Sequence, residues 1–187
     1  MVEKNKLGMS LFIGSEAVFF ILLIMAYAYF HNMAASGGVN TAAKVLDPLT
    51  TGFFSLFLFS SSFTVWRAGK SMEKENYPGM RLWLLATILL GAIFLFGQGF
   101  EWSHLIGEGT TISANLFGTT FFTLTGFHGV HVIIGLIMLA ILAGMAYAGN
   151  FKSKRSAAVE VISLYWHFVD VVWVVIFSVV YLTIVFK

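Results

Sequence analysis

A chain of 187 residues that is 58% hydrophobic and 11% charged, with a formal net charge of +2, lies well outside soluble domains, where about 25% of residues are charged. This composition excludes a small soluble enzyme, and the absence of cysteine excludes disulfides, thiolate metal sites and thiol nucleophiles. So small a net charge says little by itself, because in a membrane chain the distribution of charge matters more than its sum.

Five runs are apolar and long enough to cross a bilayer as helices, which takes about 20 residues. They are about 9–30, 49–66, 82–100, 116–148 and 159–186, predicting an all-α, five-transmembrane-helix bundle in which 1–187 forms one transmembrane domain. The last two runs exceed one bilayer thickness and should tilt or project beyond it. The first is too long for the apolar region of a cleaved signal and shows no clear cleavage site, so no signal peptide is expected.

The connections carry an orientation signal. Lys4, Lys6, Arg67, Lys70, Lys74, Arg81, Lys152, Lys154 and Arg155 fall on the side of the amino terminus, and only Lys44 and Lys187 fall on the other. The positive-inside rule then predicts a cytoplasmic amino terminus and an outer carboxyl terminus. The loop 67–81 should be the most charged inner connection, whereas 31–48 and 101–115 should lie outside.

A charged side chain at mid-bilayer costs roughly 2.5–3.5 kcal/mol on insertion scales, so the few polar groups within these runs mark where function is to be sought. Glu16 sits in the first run, as a tie between helices or as a group affecting proton access or lipid. Gln98, Glu101 and His104 close the third; Glu101 is the better candidate for a buried hydrogen bond, and His104 for a wet interface. His128 and His131 lie among Gly126, Gly129 and Gly135, which allow a neighbouring helix to approach, and the pair should bond to adjacent helices. Glu160, His167 and Asp170 occupy the fifth run beside Trp166 and Trp173, with Asp170 placed to orient His167 in a network joining the fourth and fifth helices.

Metal chemistry has two openings on spacing alone. Glu101-x-x-His104 has the interval used by di-iron bundles, although His167-x-x-Asp170 is a poor second copy, and His128, His131 and His167 could in principle form a three-histidine site. There is no phosphate loop, dinucleotide fingerprint or nucleophile elbow, and nothing supports nucleic-acid binding.

Four stretches in order carry a resemblance that covers nearly the whole chain. They are Ser15-Glu-Ala-Val-Phe-Phe20, Gly97-Gln-Gly-Phe-Glu-Trp102, Thr125-Gly-Phe-His-Gly-Val-His-Val-Ile-Ile-Gly135 and Tyr165-Trp-His-Phe-Val-Asp-Val-Val-Trp173. Together they resemble subunit III of the haem–copper respiratory oxidases, in its five-helix bacterial form. The resemblance implies an accessory subunit of the bacterial cytoplasmic membrane that carries no catalytic, cofactor or metal residues of its own. Haems and copper are expected in partner subunits, with the catalytic subunit I as neighbour. It also implies membrane lipid as a partner, a steadying role in proton uptake, a share in shaping lipid and oxygen access, and membership of a larger respiratory assembly. By the same analogy Glu16, Gln98, Glu101, His128, His131, Glu160, His167 and Asp170 form a buried polar framework between helices. The alternatives are an accessory subunit of a nitric oxide reductase, an independent proton-coupled transporter using Glu16, His167 and Asp170 as a relay, and a metal-bearing membrane enzyme.

Overall fold

The computed structural model describes residues 2–36, 46–149, 151 and 156–183, with side chains in the first helix described from 6 to 31. Helices α1 (Val2–Ser36), α2 (Pro48–Glu73), α3 (Tyr77–Gly107), α4 (Leu116–Tyr147) and α5 (Ala157–Phe177) follow in order, and α5 runs on into a π-helical turn, Ser178–Leu182. All five are long and apolar enough to cross a membrane, and no strand occurs among the described residues.

The helices overrun the apolar runs that announce them. The predicted loop 67–81 shrinks to residues 74–76, because Arg67 and Lys70 continue α2 as good helix formers while their charges reach outward. Glu101, placed at the start of an outer loop, instead lies inside α3. Of the charges used for orientation, Lys44, Lys152, Lys154, Arg155 and Lys187 lie outside the described residues, as do the Lys4 side chain and residues 37–45 of the 31–48 connection.

Specific residues start and stop the helices. Asp47 caps α2 by accepting from the amides of Leu49 (3.1 Å) and Thr50 (3.4 Å), with Pro48 at the first helical position. Asn76 and Asn115 cap α3 and α4 by accepting from Gly79 and Gly118. At the far end of α3 Gly109 takes φ +79°, and Thr110 and Gly109 donate back to Leu105 and Ile106, closing the last turn. The end of α2 repeats this pattern with Glu75 at φ 58°, a conformation that costs a side-chain-bearing residue about 1–2 kcal/mol.

Neighbours form a ring in the order α1, α4, α3, α2, α5, closed by α5 against α1, with α4 also touching α5 across it. Lys6 meets Glu160 (2.6 Å) and Arg81 donates to the Ala146 carbonyl (2.9 Å) at the end of the bundle that holds the amino terminus. Tyr27 meets Phe117 at the opposite end. Outside, large apolar side chains such as Leu22, Phe53, Leu89, Phe96 and Ile141 are exposed, as a lipid-facing surface requires.

The core depends on close approach. The fully buried Trp166 ring lies in a slot between Gly91 of α3 and Gly135 of α4; a Cβ at these positions would stand 2.8 Å and 2.7 Å from the indole. Gly97 makes room for Phe54 in the same way, whereas Gly126 and Gly129 stand at looser contacts of 3.2 Å and 3.6 Å. Gly135→Val should therefore destabilise the bundle by about 1–3 kcal/mol through overpacking. Adding Trp166→Phe, which removes the ring atoms in contact, should recover part of the loss. Thermal denaturation of the detergent-solubilised protein reads both, and an unchanged midpoint for Gly135→Val would mean that the slot is no constraint.

Candidate functional site

The polar residues of the interior form tiers along the bundle. Nearest the end away from the amino terminus, Glu101 of α3 accepts from Thr51 of α2 at Oε1 and from the Tyr181 hydroxyl at Oε2, both at 2.7 Å. The π-helical turn carries Tyr181, which is fully buried. One turn deeper, Trp173 Nε1 donates to Ser55 Oγ (2.8 Å), tying α5 to α2. Above this tier a crevice of about 260 Å3 is lined by Asp47, Thr50, Thr51, Phe100, Glu101 and His104. The Thr50 hydroxyl, donating at 2.5 Å, and the two capping amides hold the Asp47 carboxyl below the usual carboxylate range, with His104 adding a smaller favourable field. His104 itself is exposed.

In the middle tier Trp166 Nε1 donates to Ser61 (2.8 Å), and Ser62 touches both His167 and Asp170. A serine has one proton to give. If it goes to the Asp170 carboxylate, Ser62 accepts from His167 Nδ1 (2.9 Å), and Asp170 holds the imidazole through the serine rather than directly. These bonds join α5 to α2, so the expected network between the fourth and fifth helices is corrected here: Ser62 of α2 stands between the two side chains. Gln98 donates to the Thr125 carbonyl (3.0 Å), linking α3 to α4.

The two histidines of α4 differ. His131 Nδ1 meets the Phe127 carbonyl at 2.7 Å, so that nitrogen carries a proton, and Nε2 faces Glu16 of α1 at 3.1 Å. The Tyr165 hydroxyl adds a bond to the His131 carbonyl (3.0 Å). His128 is fully buried, and neither ring nitrogen has a hydrogen-bonding partner among the described residues. It stacks on Trp173 (4.9 Å, 25°) with Phe94 and Phe20 edge-on, so the expectation that both histidines bond to neighbouring helices holds for one and is corrected for the other. Glu160 lies near the amino-terminal end, paired with Lys6 rather than with His167.

The side chains with metal-ligand spacing do not converge. His128, His131 and His167 face Trp173, Glu16 and Ser62 respectively, and no group of three His, Asp or Glu side chains among the described residues has the arrangement of a metal-ion site. A separate groove of about 310 Å3 lies between α3 and α4, floored by Gly99, Gly126 and Gly129 and flanked by Gln98, Trp102 and Val130.

Several residues of these tiers escape a reading based on ionisable groups. Thr51, Ser55, Ser61 and Ser62 supply the α2 side of the bonds, and Tyr165 and Tyr181 supply hydroxyls. A signal existed for α2: hydroxyl side chains recur along one helical face of an apolar run at 51, 55 and 61/62.

The family model for cytochrome c oxidase subunit III matches residues 1–184. A relative in Mycobacterium leprae is 38% identical over 174 residues, 93% of this chain and 85% of its own length. Proteins of Synechocystis and Corynebacterium diphtheriae, each described as cytochrome c oxidase subunit 3, are 37% identical over 181 residues and 35% over 175. The first match covers 96% of this chain and 76% of the relative, and the second covers 93% and 85%.

The tiers predict an order of sensitivity. Glu101→Leu leaves the Tyr181 hydroxyl buried without its acceptor, whereas Thr51 keeps the Asp47 carbonyl at 3.1 Å. One such orphan costs about 1–3 kcal/mol, and adding Tyr181→Phe should recover part of it. His128→Leu removes an imidazole that forms no hydrogen bond among the described residues and should be neutral or stabilising. Thermal midpoints of the three variants test the scheme; a His128→Leu loss as large as that of Glu101→Leu would refute it.

Proposed function

Because this chain belongs to the cytochrome c oxidase subunit III family, we propose that it is the accessory, non-catalytic subunit of a proton-pumping haem–copper terminal oxidase in aerobic respiration. It spans the bacterial cytoplasmic membrane as one five-helix unit, with its amino terminus in the cytoplasm and its carboxyl terminus outside. Lys6, Arg67, Lys70, Lys74 and Arg81, all at the end that holds the amino terminus, support this orientation. The neighbours are catalytic subunit I, which supplies the haems and copper for reducing oxygen to water, and the other oxidase subunits.

One observation carries this reading. Glu101, His131, His167 and Asp170 each contact a polar side chain from another helix, as do the indoles of Trp166 and Trp173. With lipid outside, helices gain nothing from hydrophobic burial against one another, and close packing and internal hydrogen bonds must hold them. Groups so committed act as mortar for a rigid block, and that block steadies the catalytic subunit. Glu16, Gln98, Glu101, His131, Glu160, His167 and Asp170 are its polar framework, with His128 as an aromatic filler.

Two finer roles follow. The apolar groove between α3 and α4 holds lipid chains and, since oxygen partitions into lipid, lies on a route of oxygen to the neighbour. Glu16, on the lipid-facing α1 with a quarter of its side chain exposed, influences proton uptake by the complex.

Purification in mild detergent tests the assignment: the chain should co-purify with haem-bearing subunits, and a chain that runs alone without haem would overturn it. Gly99→Leu fills the groove without a clash, since nothing stands within 4 Å of an added Cβ. It should slow turnover at low oxygen and leave saturating turnover unchanged; an unaltered oxygen dependence removes the groove from the route. Glu16→Gln should assemble normally yet change sustained turnover or pumping, and a defect confined to assembly would make Glu16 structural.

A further inference from the structure

The hairpin between α2 and α3 carries a feature that the polar framework does not use. Arg67, Lys70, Ser71 and Lys74 stand at positions i, i+3, i+4 and i+7, running from α2 into its cap residue, and therefore project from one face. That face meets Asn76 and Trp83 across the short connection, and the six residues line a crevice of about 160 Å3. Arg67 is held over the Trp83 indole, 5.2 Å from its centre. Lys70 contacts Glu73 at 2.9 Å, but both side chains are about half exposed and the pair is open to exchange. Neither Glu73 nor Glu75, the acids of this segment, lines the crevice.

The bilayer side of the crevice is apolar. Phe63 and Trp66 are exposed about one helical turn deeper on α2, with ring centres 5.7 Å apart, and Phe63 also meets Trp83 edge-on at 6.4 Å. Leu82, next to Trp83 in the sequence of α3, is exposed as well. Three cations at the end of a helix pair, bordered toward the membrane centre by an aromatic ledge, match the two halves of a lipid: a phosphate and its acyl chains.

We propose that this crevice binds the phosphate of an anionic phospholipid from the leaflet at this end of the bundle, its chains lying against Phe63, Trp66 and Leu82. Arg67 presents a planar fork to the phosphate oxygens while its other face stays on the indole, and Lys70 and Lys74 add point charges. A headgroup that carries its own ammonium would bring a like charge toward these cations, so the crevice selects a headgroup such as glycerol over choline. The ledge distinguishes a lipid from free phosphate, which has nothing to place on Phe63 and Trp66. This inference does not depend on the oxidase assignment.

The test uses the protein purified in mild detergent, with whatever subunits accompany it, and stripped of lipid. Phosphatidylglycerol, phosphatidylcholine and inorganic phosphate are titrated separately, with bound lipid counted by native mass spectrometry and protection read from the thermal midpoint. Phosphatidylglycerol should bind and protect, and the other two should not. Removing one cation should weaken binding about fivefold, so Arg67→Gln with Lys74→Gln should weaken it about 25-fold. Should the double variant fail to assemble, Lys74→Gln alone, at an exposed helix cap, carries the comparison at fivefold. Trp66→Ser should weaken phosphatidylglycerol binding through the ledge. Equal phosphatidylglycerol binding by parent and charge variants, or equal protection by phosphatidylcholine, overturns the proposal; protection by inorganic phosphate alone overturns the lipid as occupant.

Discussion

Trp166 is the side chain on which the packing of four helices depends. It comes from α5, lies between Gly91 of α3 and Gly135 of α4, and donates its indole proton to Ser61 of α2. A ring so enclosed fixes both the depth and the rotation of α5, and the later ties of that helix follow from its phase. His167 and Asp170, one and four residues on, must then meet Ser62; Trp173, two turns on, must meet Ser55; and Tyr181 must reach the Glu101 carboxylate that Thr51 also holds. The partners on α2 descend through 61/62, 55 and 51 as those on α5 ascend, which is the zipper expected of two antiparallel helices. A slip of one residue would rotate each α5 donor by about 100° away from its acceptor. The π-helical turn shifts this phase locally at the end of α5, where Tyr181 is carried.

This scheme explains which parts of the molecule were legible in the sequence. The five helices were, because each apolar run is long enough to cross a membrane and nothing inside it competes with helix. Their ends were read too early where charged residues begin: Arg67 and Lys70 mark the water side of a helix, whereas Asn76 and Asn115, with their capping side chains, mark the real breaks. The buried acids and histidines stood out as charge within an apolar run. Their partners did not, since a sequence shows that Asp170 needs a donor but not which helix brings it. The same limit separates His128 from His131. Three residues apart, they differ in direction by about 60° around α4, enough for one to stack on Trp173 and the other to reach Glu16. Gly126, Gly129 and Gly135 looked alike as well, and only the position of Trp166 makes Gly135 the one in tightest contact.

The inward use of polar groups has an outward consequence. With carboxylates, imidazoles and indoles engaged inside, the flanks of the bundle are left apolar, and charge is concentrated at the two ends. One end carries the Arg67, Lys70 and Lys74 crevice; the other carries Asp47 and Glu101 around a second crevice. Such a block offers neighbouring subunits and lipid tails a surface with little polarity to desolvate. The exception is the seam where α1 meets α4 and α5. There Glu16 faces His131 and Lys6 faces Glu160, and all four side chains retain some exposure. Glu101 and Asp170 are buried and bound from other helices, so moving a proton on either would disturb the packing of the bundle. Glu16 contacts the framework through one imidazole nitrogen, and α1 is held besides by its packing against α4 and α5. That difference in coupling separates Glu16, at the edge of the framework, from the more deeply buried acids.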